Sequence, residues 1–215
     1  MLLDTTRNVL LAACFAGTTL AEKTHVDNSH GHGAEWLERI KAERAAANDP
    51  DHIFVHMISH SHDDVGWLKT VDEYFTGASQ SVAVAEVEEI ITTVVKELVA
   101  DERKKFTFVE MKFFSMWWDR QDEKVQEQVR DLVKQERVAF VNAGWSMHDE
   151  ACTHHDDMMN NMMAGHEWLK KTLDYTASIG WHIDPFGHSN ANPRLFADMG
   201  FDAFFIARMD YEDRA

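Results

Sequence analysis

From residue 52 onward the chain repeats one alternation: a short apolar run, then a longer stretch whose apolar residues recur at helical spacing. The runs are HIFVHMIS (52–59), KFTFVE (105–110), RVAFVNAG (137–144), SIGWHID (178–184) and FDAFFIAR (201–208). Between them, Val84, Val87, Ile91, Val94 and Leu98 share one helical face, and Val125, Val129 and Leu132 share another. A third helix is expected over about 154–173, opening at Thr153 with Asp156 at capping-box spacing. Short strands joined by helical crossovers run parallel, so the pattern predicts an α/β fold built from βαβ units. In such folds ligands bind beyond the carboxyl ends of the strands. Here those ends carry His60, His62 and Asp64, then Glu110, then Trp145, Asp149 and Glu150, then Asp184, then Arg208. The five ends are expected to converge on one acidic, histidine-containing pocket.

Charge narrows what that pocket can meet. The 215 residues carry a formal net charge of -16, which repels nucleic-acid backbones and anionic membrane surfaces. Neutral or cationic ligands and other proteins remain. A hydrophobic content of 45% is ample for a packed core.

The first 21 residues read as a secretory signal: Arg7, an apolar run from Val9 to Gly17, and Thr19-Leu20-Ala21 placed for cleavage before Glu22. The run is well short of the roughly 20 residues that span a bilayer, so no membrane span is expected after cleavage. The predicted compartment is the secretory pathway, ending in a lysosome or vacuole or outside the cell. Cys14 would leave with the signal, so Cys152 has no internal disulfide partner. Residues 22–50 read as a polar leader with a short helix over Ala34 to Asn48, and the domain proper covers 51–215.

Read singly, the chemical motifs stay open. His60, His62 and Asp64 sit at alternate positions, sharing a face if the strand persists, and imidazole with carboxylate suits zinc. A solvated turn capped by Asp63 and Asp64 is the equal alternative. Asp184 precedes Pro185, where the chain must leave the sheet, and could ligate metal, act as nucleophile, or merely cap a turn ending at Gly187. THHDD (153–157) resembles a metal cluster, but its place at a helix start favours capping and dipole compensation. Met158, Met159, Met162 and Met163 are expected in the core, with Trp117, Trp118 and Trp168. Trp67 and Trp145 each follow a glycine in a strand-end loop, where they suit sugar stacking and loop anchoring equally.

Taken in order, HSHDDVGWLKTVDEYF (60–75), FVEMKFFSMWW (108–118), NAGWSMHDEACTHHDD (142–157), GHEWL (165–169) and GWHIDPFGHS (180–189) resemble the N-terminal catalytic region of class II α-mannosidases, glycoside hydrolase family 38, of the lysosomal type. The resemblance implies a parallel β/α barrel of the seven-stranded kind, of which this chain would supply about five strands. It implies Zn2+ bound by His62, Asp64 and Asp184, with Asp184 also the catalytic nucleophile. Trp67, Phe186 and Arg208 would line the sugar subsite, and His60 would support the site without ligating. The implied reaction is retaining removal of terminal α-D-mannose from N-glycan-type oligosaccharides. A homo-oligomer of the full-length protein is compatible with the resemblance.

The family's acid/base aspartate and a fourth, histidine ligand lie downstream of the position matching Ala215. The isolated 215 residues are therefore expected to have little or no activity. Two smaller departures are Ala143, where the family usually has glycine, and a short connection from Leu173 to Ile179. The alternatives are a metal-dependent carbohydrate deacetylase and a non-catalytic sugar-binding fragment.

Overall fold

The computed structural model describes residues 55–212 together with Ala42 and Ala45. The expected signal segment and nearly all of the polar leader lie outside the described residues; Ala42 and Ala45 are helical and exposed. The chain divides into two units, Met1–Met57 and Ile58–Ala215. No helix among the described residues is long and apolar enough to cross a membrane.

The second unit alternates helices with short parallel strands. In order they are α1 (Val71–Thr76), α2 (Val87–Ala100), β1 (Phe106–Phe108), α3 (Met111–Trp118), α4 (Glu123–Lys134), β2 (Val138–Phe140), α5 (His155–Leu173), β3 (Ile179–His182), α6 (Ala191–Asp198) and β4 (Ala203–Ile206). Four of the five apolar runs thus contain a strand. In the first, none of residues 55–59 is in a strand, residues 52–54 are outside the described set, and Val55 and Met57 are 76% and 89% exposed. The ladder begins only where the Thr107 N–H donates to the Ser59 carbonyl at 2.9 Å and His60 bridges to Thr107.

β1 pairs with β2 from Phe106↔Val138 to Phe108↔Phe140, and β3 with β4 from Ile179↔Ala203 to His182↔Ile206. The two pairs meet at Asn142, whose backbone takes φ 57° and turns out of the strand direction. Its N–H donates to the Ile179 carbonyl at 2.6 Å, and its side-chain Oδ1 accepts the Trp181 N–H at 3.3 Å. The amide side chain stands in for a missing rung. Ala143 beside it has φ 56°, a left-handed conformation that costs an alanine more than a glycine. The departure at this position is therefore accommodated with local strain.

One face of the strands packs on helices. Val87, Ile91, Val95 and Leu98 of α2, Phe113, Phe114, Trp117 and Trp118 of α3, and Val129 and Leu132 of α4 bury against Phe108 and Phe140 in one cluster. Val84 lies outside it and is 87% exposed, because α2 starts only at Val87. The other face carries a smaller cluster of Val109, Val141 and Trp181. Helix α3 was not anticipated because MKFFSMWW is nearly all apolar and shows no period to read. Helix α1 is only one and a half turns long and owes its limits to capping: Thr70 and Glu73 form a reciprocal box, and Gly77 ends it at φ 74°. Buried Arg137 ties β2 to α2 by donating to the carbonyls of Leu98, Asp101 and Lys104. A cation at that helix end meets the negative end of the dipole.

Helix α5 corrects one expectation. Its N-cap is His154, whose Nδ1 accepts the Asp156 N–H at 3.4 Å. Thr153 instead turns its hydroxyl back to the Asp149 carbonyl. Asp156 and Asp157 do occupy the first turn, where the dipole favours them. Of the four methionines, Met158 and Met162 are buried, while Met159 and Met163 are 40% and 54% exposed. Met158 and Met162, four residues apart, share the inward face of α5 on successive turns, and Met159 and Met163 share the face beside it.

Candidate metal centre

The segment from His60 to Gly66 leaves the strand direction after one bridge, so strand alternation is not what groups its polar residues. A turn closes at Gly66, φ 86°, where its N–H donates to the Asp64 carbonyl at 2.8 Å. That turn brings Asp64 Oδ1 to 3.3 Å from His62 Nε2. From the far side, the end of β3 brings Asp184 Oδ2 to 3.3 Å from the same nitrogen. His62, Asp64 and Asp184 each offer a ligand atom within 4.8 Å of the others, and they are the one such group among the described residues. His62 Nε2 is buried and has no hydrogen-bond partner among those residues.

A small divalent cation fits this arrangement. Bonds of about 2.0 to 2.2 Å in tetrahedral geometry separate ligand atoms by about 3.4 Å. The 3.3 Å spacings match that edge. Imidazole plus two carboxylates is a borderline-hard donor set of the kind zinc takes. An orphaned, buried imidazole nitrogen between two carboxylates is otherwise a costly arrangement.

The centre opens on a cleft of about 190 Å³, lined on one side by His62, Asp64 and Glu110 and on the other by His148, Asp149, Asp184 and Phe186. All five run ends reach it, four directly and Arg208 through Asp184. Burial and the nearby Asp63 and Asp64 carboxylates push Glu110 well above the ordinary carboxylate range. Burial likewise raises Asp63, although Ser61 donates to its Oδ2 at 2.7 Å. A bound cation would relieve both.

The remaining expected site residues are placed as follows. Arg208 donates from Nη2 to Asp184 Oδ1, so one carboxylate oxygen is held by the guanidinium while the other faces His62. Trp67 and Phe186 are 73% and 82% exposed, apolar rings with open faces. Trp145 packs against the main core with Lys112 5.7 Å above its ring, which makes it a loop anchor. His60 packs edge-on against Trp181 at 5.1 Å.

Glu150 stands among the expected strand-end residues, but its partners could not be read from the sequence. Glu150, fully buried, accepts from His182 Nδ1 at 2.7 Å, His188 Nδ1 at 3.0 Å, Asn192 Nδ2 at 3.3 Å and the Ser189 N–H at 2.7 Å. It clamps both sides of the loop that carries Asp184. Burial alone would raise Glu150, but these donors hold it below its ordinary range. His148 joins through Asn192 at 2.8 Å. Burial, then the neighbouring His182, pushes His148 from 6.5 down to about 4. Burial also lowers His182, against the pull of Glu150.

A pH dependence follows. Between about pH 6.5 and 4 the unfolded chain binds a proton at residue 148 that the folded chain refuses, so stability falls as pH falls through that window. His148 accounts for about 3 kcal/mol of that loss. Depressed Glu150 acts in the same sense, losing its contribution as pH falls below its ordinary value; raised Glu110 acts in the opposite sense. Urea midpoints should therefore drop steeply from pH 7 to 4.5, and His148→Gln should flatten the slope. Equal slopes in the two proteins would refute the assignment.

Residues 52–215 match the glycosyl hydrolases family 38 N-terminal domain. The chain is 48% identical to the lysosomal alpha-mannosidase of Homo sapiens over 167 residues, 77% of this chain and 16% of that protein. It is 48% identical to the lysosomal alpha-mannosidase of Dictyostelium discoideum over 159 residues, 74% of this chain and 16% of that protein. The fold matches the crystal structure of an alpha-mannosidase from Enterococcus faecalis V583 with a TM-score of 0.56 at 19% identity, covering 70% of this chain and 16% of that one. The chain thus spans about one sixth of the length of these relatives.

Proposed function

Because this chain belongs to glycosyl hydrolase family 38, through its N-terminal domain, we propose that it supplies the metal-binding and nucleophilic half of an α-mannosidase catalytic site. The observation that carries the reading is the grouping of His62, Asp64 and Asp184 around one buried, unpartnered imidazole nitrogen. The substrate class is an oligosaccharide with terminal α-D-mannose, of the N-glycan type, and hydrolysis proceeds with retention. The strands of the second unit would form part of a seven-stranded β/α barrel.

His62, Asp64 and Asp184 would hold Zn2+. When bound, the ion acts as a Lewis acid that orients sugar hydroxyls and stabilises charge in an oxocarbenium-like transition state. Asp184 would attack the anomeric carbon, and the Arg208 hydrogen bond to one of its oxygens supports this by holding the carboxylate in one orientation. The Glu150 clamp on His182, His188 and Ser189 limits movement of the same loop. Phe186 lines the cleft with an open ring face suited to the C–H face of a pyranose, and the exposed ring of Trp67 would serve the same subsite. Retention requires a second carboxyl about 5 to 5.5 Å from the nucleophile, to protonate the leaving oxygen and later activate water. The resemblance puts that group, and a further ligand, downstream of the position matching Ala215. The secretory signal, and a lysosomal, vacuolar or extracellular destination, belong to the same reading.

The test uses a protein carrying this region within the length of its relatives. Release of mannose from an aryl α-mannoside, lost on chelation and restored by Zn2+, is the expected result. Activity untouched by exhaustive chelation would refute the metal reading. Acetate release from an acetylated sugar, without mannose release, would favour the deacetylase instead.

A further inference from the structure

The metal centre uses only one nitrogen of His62. Nε2 faces Asp64 and Asp184 at 3.3 Å each, while Nδ1 points away from them toward Glu110 Oε1 at 3.9 Å. Both Nδ1 and Oε1 are buried, and neither has a hydrogen-bond partner among the described residues. The Glu110 side chain is 3% exposed. It occupies the N-cap position of α3 but makes no side-chain cap hydrogen bond, so capping does not explain a buried acid there. A small hydroxyl or an Asp would cap better; the longer side chain instead reaches across to the imidazole. Two complementary orphan atoms facing each other across the interior is the geometry of a donor and an acceptor one small ring rotation apart.

We propose that Glu110 is the positioning residue of the metal centre. It takes the Nδ1–H of His62, which fixes the tautomer that leaves the Nε2 lone pair facing Asp64, Asp184 and a divalent cation. Metal-bound histidines commonly donate their second ring N–H to a carboxylate, and loss of that partner typically lowers metal affinity about 10- to 100-fold. The inference rests on the metal-centre reading, because the second nitrogen needs fixing only if the first is a ligand. Glu110 also lines the cleft, but the role assigned to it is one of positioning. Its effect is exerted through His62 alone.

The experiment measures Zn2+ affinity of this chain by competition with a chromogenic chelator, and the ring tautomer of His62 by long-range ¹⁵N–¹H NMR on histidine-labelled protein. Zinc-loaded wild type should show a proton on Nδ1 and metal on Nε2. Glu110→Gln, nearly isosteric, should bind zinc about tenfold more weakly, and Glu110→Ala up to about 100-fold more weakly. Glu110→Asp should recover part of the affinity lost in the alanine variant. Affinities of the glutamine and alanine variants within twofold of wild type, with His62→Ala abolishing binding, would overturn the proposal and leave the metal centre standing. A proton on Nε2 in zinc-loaded wild type would overturn it without any variant. Zinc affinity unchanged in both His62→Ala and Asp64→Asn would overturn the metal centre and this inference together.

Discussion

Asp184→Asn should abolish mannoside turnover and weaken zinc binding in a protein that carries this region within the length of its relatives. The two oxygens of Asp184 do different work: Oδ1 accepts from Arg208, and Oδ2 lies 3.3 Å from His62 Nε2. An asparagine of the same size keeps the shape and loses both the charge and one acceptor. It cannot attack carbon, it presents a weaker ligand, and it leaves the Arg208 guanidinium without its anion. Removal of a covalent nucleophile costs on the order of 10⁴-fold in kcat or more, which far exceeds what a misplaced neighbour would cost. Steady-state kinetics with an aryl α-mannoside, paired with zinc titration, checks both halves. A variant within tenfold of wild type in kcat would end the nucleophile assignment; lost turnover with unchanged zinc affinity would end the ligand assignment alone.

The largest stability effect is expected at Gly165→Ala. Helix propensity by itself favours alanine by up to about 1 kcal/mol in a helix interior. Here a Cβ would meet the Ala143 carbonyl oxygen at 2.0 Å, the Gly144 carbonyl carbon at 2.6 Å and the Trp145 nitrogen at 2.8 Å. All three are backbone atoms, so no side chain can swing aside. The contact is where α5 rests on the turn after β2, held by the Trp145 N–H on the Asn161 carbonyl at 2.9 Å. Separating the two should cost about 3 kcal/mol or more, reversing the sign that propensity predicts. Chemical denaturation reads this directly, with Ala164→Ser, exposed one residue away, expected within about 0.5 kcal/mol of wild type. A stabilised Gly165→Ala would mean that the helix does not sit on that turn. Because the same turn leads into Ser146–Asp149 on the cleft wall, the variant should also bind zinc less tightly.

Legibility followed the range of the interactions concerned. Helices α2 and α4 were readable because their buried residues recur every three or four positions within one segment. Strands β1 to β4 were readable as short apolar runs between helical periods. The run at 52–59 has the same local character, yet its described part is exposed and joins the ladder only at Ser59 and His60. Whether an apolar run becomes a strand depends on a neighbour, which no local pattern contains. Trp67 and Trp145 make the same point: both follow a glycine in a strand-end loop, but one is open to solvent and the other is packed on the core.

By itself, then, the sequence determined four of the strands and the three longer helices in their order, the family, and the placement of Asp184 and Arg208 just beyond strands. Periodicity, turn residues and quoted motifs are local properties of the chain. Only the tertiary structure decided that Nε2 of His62 faces two carboxylates while Nδ1 faces Glu110, and that Glu150 gathers His182, His188 and Ser189. Those pairings join residues 32 to 39 positions apart in the Glu150 group alone. Side-chain direction and burial at such separations are set by how helices and strands pack, so they exist only once the fold has closed around them.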